Sequence, residues 1–271
     1  MALVAAATSP VILGTSMVVS PAGVSARIAR LLSSARLDTS DEHRLGVIYT
    51  GLYVLALGLL LLAAAYDPRG QADVVRAGGL LFIMRGLQRY FRADELARAY
   101  GVVGGKNWMH VSWLCGIGLV IIALAPYAPP VPGAHLKVTY ALRQMILGIM
   151  TLHSVAVGAL LAIWPEFGMQ LCALLGSATK IPRSSQFHYI VQPLGLYMIA
   201  FGLLAGVAQR SGSVPHLSAA LGGLLMARAA ARWFTSDMLR FAFGVKPRAL
   251  LWQAAGLFVA GVLVAHGATR P

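Results

Sequence analysis

The sequence predicts an all-α polytopic membrane protein: eight transmembrane helices as two tandem parallel four-helix repeats, with short amphipathic helices at the membrane interface. Three observations predict it. The 271 residues are 58% hydrophobic and 11% charged, against roughly 45–50% apolar and about 25% charged in soluble domains. The apolar residues gather in runs of about 20, the length that crosses a bilayer as a helix. The two halves of the chain also align with each other over rare residues.

Runs of spanning length cover roughly 44–65, 73–91, 107–126, 139–164, 188–209, 215–234 and 249–267. A weaker one fills the first twenty residues, MALVAAATSPVILGTSMVVS, uncharged but holding several Ser, Thr and Pro. It lacks the positive n-region and the small-residue cleavage site of a signal peptide. It is expected to be a retained span, because it has a counterpart in the second half.

At an offset of 144 residues, Gly51-Leu52-Tyr53 falls on Gly195-Leu196-Tyr197, Gly58-Leu59-Leu60 on Gly202-Leu203-Leu204, and Gly78-Gly79-Leu80-Leu81 on Gly222-Gly223-Leu224-Leu225. After a one-residue gap, Arg85, Arg89, Phe91, Asp94, Leu96, Ala99 and Gly101 fall on Arg228, Arg232, Phe234, Asp237, Leu239, Ala242 and Gly244. The first offset also sets Gly14 on Gly158 and Pro21 on Pro165, so the doubtful first run matches the fifth. The expected organisation is a first four-helix repeat over 1–126, a Pro-rich linker over 127–136 and a second repeat over 137–271. Four spans per unit leave both units pointing the same way, unlike the inverted repeats of many ion-coupled transporters.

The loops after the first and third span of each unit are long and hold amphipathic stretches that begin near 22, 94, 166 and 237. Each starts near Pro, Ser or Asp, and three end at Gly, so these read as short interfacial helices. Asp94 and Asp237 are expected to cap two of them. Gly51/Gly58 and Gly195/Gly202 recur seven residues apart on one helical face and permit close helix approach. Tyr53 and Tyr197 beside them are expected to pack rather than line a pocket. Tyr90, Tyr100, Trp108, Trp113, Trp164, Trp233 and Trp252 form an aromatic belt at the span ends.

The formal charge is +13, from 22 Lys and Arg against 9 Asp and Glu. Nucleic-acid sites want basic stripes with interleaved aromatics on a solvated surface, whereas here basic residues punctuate apolar runs, so a nucleic-acid partner is excluded. Fourteen bases fall on the side of the interfacial helices: Arg27, Arg30, Arg36, Arg44, Arg89, Arg92, Arg98, Lys106, Lys180, Arg183, Arg232, Arg240, Lys246 and Arg248. Six fall on the other: Arg69, Arg76, Lys137, Arg143, Arg210 and Arg270. The positive-inside rule sets the richer side in the cytoplasm or matrix. A bacterial cytoplasmic membrane and a mitochondrial inner membrane both fit.

The sharpest candidate site is the duplicated pair Arg85/Arg89 and Arg228/Arg232, each at i,i+4 on one face of its third span. A central Arg costs about 2.5–3.5 kcal/mol on insertion scales, so an intramembrane one is a functional hypothesis by default. Arg85 lies roughly 13 Å along the helix from Asp94, which leaves two readings: headgroup anchoring or an Arg–Asp contact, or a pocket for an anionic headgroup, a quinone carbonyl or a partner carboxylate. The acids fall in loops or at span ends, which argues against a proton pump or cation-coupled carrier. Only His153 lies well inside a span. His43, His110, His188 and His266 lie near span ends, so a haem held by facing histidines is disfavoured but stays open, as does a quinone. Cys115 and Cys172 have no metal-ligand spacing and read as small apolar residues. No catalytic residue, metal ligand set or required cofactor is identified, and hydrolase and nucleotide motifs are missing.

The four-span unit, its Pro165-to-Gly176 interfacial helix and its Gly-Leu-Tyr…Gly second span resemble small DoxX-like four-helix membrane proteins, here in tandem duplication where those carry a single unit. The resemblance covers both halves and implies company with membrane oxidoreductases, with no catalytic residue to carry over. The expected function is a non-catalytic accessory or structural subunit of a larger, bioenergetic membrane complex, binding anionic lipid and partner subunits. A small-molecule transporter or channel, which would give flux in liposomes, and a quinone- or haem-associated redox subunit, which would copurify with a chromophore, are the alternatives.

Overall fold

A computed structural model describes residues 2–31, 40–66, 71–102, 104–125, 138–211 and 215–266. The expected linker, with Arg36, Arg69, Lys137, Arg270 and His135, lies outside the described residues. Within them the chain forms twelve α-helices and no strand: α1 (Ala2–Val19), α2 (Pro21–Leu31), α3 (Asp41–Tyr66), α4 (Ala72–Phe91), α5 (Ala93–Tyr100), α6 (Gly104–Ala123), α7 (Val138–Ile163), α8 (Pro165–Gly176), α9 (Ser185–Ser211), α10 (Pro215–Phe234), α11 (Ser236–Phe243) and α12 (Pro247–His266). Five of these, α3, α6, α7, α9 and α12, are long and apolar enough to cross a bilayer, the mark of an integral membrane protein. α4 and α10 are 20 residues each and carry the Arg pairs, and the apolar part of α1 is shorter.

α3 and α9 form the centre. Each has 67% of its spanning window buried, against 22% in α6 and α12, which leave most of their surface to the surroundings. α1 packs along α3, α7 along α9, α4 along α6 and α10 along α12, while α3 and α9 meet in the middle. All four outer pairings close on glycine. A Cβ added to Gly14 would stand 2.8 Å from the Gly51 carbonyl oxygen, one on Gly158 2.6 Å from that of Gly195, one on Gly79 2.7 Å from that of Gly118, and one on Gly222 2.5 Å from that of Gly261. Small residues let backbones approach where lipid supplies no hydrophobic drive to association. Pro10 and Pro193 sit inside α1 and α9, as membrane helices tolerate when neighbours take up the freed backbone groups.

The short helices α5 and α11 restart after a one-residue break, at Arg92 and Thr235. These two residues are the N-caps and neither makes a side-chain cap hydrogen bond, so Asp94 and Asp237 are not caps. The break is so brief that the Arg92 and Thr235 carbonyls already accept from Leu96 and Leu239, both at 2.9 Å. Each aspartate is thereby drawn into the first helical turn, where its charge favours the positive end of the helix dipole. α5 and α11 end on left-handed Gly101 and Gly244, with φ of 69° and 64°. α8 ends instead on Ser177, which takes a φ of 54°, one residue beyond the glycine expected to stop it. Ser177→Gly is therefore expected to raise stability by about 0.5–1 kcal/mol, since glycine enters this conformation without a Cβ penalty. A rise in thermal midpoint in detergent checks it, and no change counts against a strained Ser177.

Candidate functional site

The arginines of α4 and α10 point into the bundle, and each pair is met by a tyrosine of the opposite half. The Arg85 guanidinium lies 5.8 Å from the ring centre of Tyr197 on α9. That of Arg228 lies 5.7 Å from the ring centre of Tyr53 on α3, and its Nη1 donates to the Tyr53 hydroxyl at 3.0 Å. Both tyrosines are buried, and Tyr53 also meets Phe201 edge-on at 5.4 Å. A guanidinium over a tyrosine face gains about 0.5–2 kcal/mol, more as water is excluded. None of the four arginines forms an ion pair among the described residues. The Arg–Asp pairs that do form are Arg44–Asp41, Arg76–Asp73 and Arg240–Asp237 at helix ends. The Arg–Asp contact expected as one alternative for Arg85 is replaced by Gln88 and Tyr197, because Asp94 is held in its own helix beyond the break.

Around the first pair the bundle supplies polar partners. Arg85 Nη1 donates to Gln88 Oε1 at 3.3 Å, Gln88 Nε2 to Gln192 Oε1 at 3.2 Å, and Gln192 Nε2 to Glu95 Oε2 at 2.9 Å. Glu95 is also paired with Arg92, whose Nη2 reaches the Ile163 carbonyl at 2.8 Å. Arg89 Nε donates to Asn107 Oδ1 at 3.2 Å, and Asn107 Nδ2 returns a bond to the Arg89 carbonyl at 3.1 Å. A chain of hydrogen bonds thus runs from Arg92 and Glu95 at the interfacial helix to Arg85 inside the bundle. Its outer end opens on a polar cavity of about 710 Å³ lined by Arg92, Glu95, Arg98, Glu166, His188 and Gln192, among others.

The second pair has a different setting. Arg228 and Arg232 lie on the wall of a mostly apolar cavity of about 570 Å³ between α3, α7, α8, α9, α10 and α12, with Tyr49, His153, Ser154 and Cys172 as further lining. Arg228 Nε, Arg232 Nε and the Tyr49 hydroxyl are buried there without a hydrogen-bond partner. Burial pushes the Cys172 thiol up, against the pull of Arg228 and Arg232 in the opposite direction. This keeps it protonated and unreactive at neutral pH.

Both Arg pairs stand out in the sequence, where Tyr53 and Tyr197 are expected only to pack, but nothing there shows that each pair meets the tyrosine from the other half. Gln88, Gln192, Glu95 and Asn107 were missed as well. The available signal was Gln88 and Gln192 themselves, polar side chains inside runs of spanning length. The histidines occupy distinct surroundings: His43 is buried with its ring 6.1 Å from Tyr100, His188 lies 3.1 Å from the Pro182 carbonyl and 4.0 Å from Glu166, and His153 lines the cavity. No cluster of three or more metal-ligating side chains occurs among the described residues. Comparison with protein-family models, curated proteins and solved structures finds no match, so the DoxX-like resemblance rests on the sequence features alone.

Proposed function

We propose that this integral membrane protein consists of eight spans in two tandem four-span units, and that it works as a non-catalytic accessory subunit, holding anionic lipid and neighbouring membrane subunits. The observation that carries the reading is that none of the four arginines of α4 and α10 pairs with an acid among the described residues: Arg85 and Arg228 lie over tyrosine faces, Arg89 bonds Asn107, and Arg232 Nε is unpartnered. A guanidinium brought into a bundle without a counter-ion is costly, and an acidic headgroup or partner carboxylate is what would offset that cost.

The duplication is supported by matched contacts. Arg85 on Tyr197 mirrors Arg228 on Tyr53. His43 and Tyr100 meet at 57°, as do Phe187 and Phe243 at the corresponding positions. Gly79 faces Gly118 as Gly222 faces Gly261. This last match equates Gly79 with Gly222, moving the one-residue gap ahead of Gly79 from its sequence placement after Leu81. The Arg-rich interfacial helices belong on the cytoplasmic or matrix side in this reading, of a bacterial cytoplasmic or mitochondrial inner membrane.

Mild-detergent purification followed by native mass spectrometry tests the function. A stoichiometric complex with other membrane subunits and retained acidic lipid is expected, with both diminished when Arg85, Arg89, Arg228 and Arg232 are changed together to Gln. A monodisperse chain carrying neither, or substrate flux through liposomes holding the chain alone, overturns the accessory role.

A further inference from the structure

Under the offset of 143 to 144 residues, each polar partner of the first Arg pair has an apolar counterpart around the second. Gln88 corresponds to Ala231, Gln192 to Ile48, Glu95 to Met238 and Asn107 to Leu250. Two further polar residues on the side of the first Arg pair, Tyr189 of α9 and Tyr100 of α5, correspond to Leu45 and Phe243. Leu45, Phe243 and Leu250 all line the 570 Å³ cavity. The first Arg pair is therefore surrounded by hydrogen-bonding side chains of both halves and one carboxylate, with Arg89 Nη2 alone of its guanidinium atoms buried and unpartnered, whereas the second pair stands beside space with apolar walls. Arg228, Arg232 and Tyr49 line that space, and Arg228 Nε, Arg232 Nε and the Tyr49 hydroxyl are buried without a partner.

We infer that the second half binds a single-chain anionic amphiphile, a fatty acid or close analogue, whose carboxylate is taken by Arg228, Arg232 and Tyr49 and whose chain fills the apolar cavity. The ligand's carboxylate supplies the negative charge that Glu95 supplies in the other half. This inference rests on the proposed anion-binding role of the four arginines and names the ligand at one of the two sites. Guanidiniums at i,i+4 give one face of donors suited to a carboxylate. The cavity volume lies within the roughly 300–1,000 Å³ of small-molecule sites, so one chain fits where a two-chain lipid would leave the second outside. The lining includes Ile149, Leu175 and Trp252, which are 60%, 57% and 76% exposed on the outer surface of the bundle. An amphiphile thus enters sideways from the bilayer at that edge.

The test uses the full chain in neutral detergent, with the fluorescent fatty acid cis-parinaric acid as the probe and its methyl ester as the uncharged counterpart. One acid per chain is expected, displaceable by oleic acid, with the ester bound about tenfold or more weakly, as loss of hydrogen bonds to a charged group implies. Arg232→Gln is expected to lower affinity for the acid by about tenfold and to leave the ester unchanged. A variant that grafts one of the first half's partners at a half-buried position, Ala231→Gln, is expected to weaken binding of the acid while keeping the thermal midpoint, which separates loss of the site from loss of folding. Equal binding of acid and ester, or acid binding untouched by both variants, overturns the assignment. So does preferential displacement of the probe by phosphatidylglycerol in nanodiscs over oleic acid. The broader reading fails by a different measurement: absence of acid binding with copurifying lipid and subunits intact removes this inference alone.

Discussion

Gly195→Val is expected to be among the most damaging single substitutions in the bundle, with most of the folded protein lost from membranes and the remainder melting well below the parent. A Cβ at position 195 stands 2.5 Å from the Gly158 carbonyl oxygen and 2.7 Å from the Ala162 amide nitrogen. Both are backbone atoms of α7, so no rotamer change relieves the clash, and α7 must move away from α9. Overpacking a well-filled core costs about 1–3 kcal/mol and more when backbone has to shift. The movement would also widen the contact along which α9 is buried, and small-residue contacts are the main source of helix association in lipid. Gly256→Val is the control, since nothing lies within 4 Å of a Cβ there. Detergent-resistant yield and thermal midpoint of the two variants, measured side by side, decide it. A Gly195→Val protein as stable as Gly256→Val would mean that α7 and α9 are not locked at this point.

The parts of the fold that follow from local chemistry were legible in the sequence. Spans read from apolar runs end within a few residues of the helices, because hydropathy and the Pro and Gly punctuation act where they are written. Pro21, Pro165, Pro215 and Pro247 each open a helix, as proline's fixed φ favours at the first helical position. What was not legible depends on groups far apart in the chain. Tyr53 and Arg228 are separated by 175 residues, and Gln88 and Gln192 by 104, and no periodicity announces such pairs. The capping role expected for Asp94 and Asp237 failed for a local reason of another kind: a one-residue break and a true loop look alike in composition. Ser177 shows the same limit, since the glycine before it is the better residue for a left-handed turn, yet the chain turns one residue later. The arginines stand out in the sequence because charge in an apolar run is rare.

Arg85→Leu is expected to cost more stability than Arg228→Leu, although the two residues occupy matched positions. Arg228 gains about 0.5–2 kcal/mol from the Tyr53 face and about 0.6 kcal/mol from the bond to its hydroxyl, by the average for interhelical bonds in membranes. Against this stands about 2.5–3.5 kcal/mol for an Arg at mid-bilayer depth, less whatever snorkelling recovers, with its Nε left unpartnered. The terms nearly cancel, and the buried Tyr53 hydroxyl is left without its donor, so Arg228→Leu should cost the ligand-free bundle about 1 kcal/mol, the low end of the penalty for an orphaned buried group. Arg85 is tied differently. It donates to Gln88, which bonds Gln192, which bonds Glu95, and its removal leaves the Gln88 carbonyl without its donor at the end of a cooperative chain. The depth cost and the tyrosine face are common to both arginines, so the chain decides the difference, and Arg85→Leu should cost up to about 3 kcal/mol, the high end of the same penalty. Thermal or steric-trap unfolding of the two variants in one detergent, without added lipid, measures the difference. Equal losses in both would place the two arginines in the same structural role.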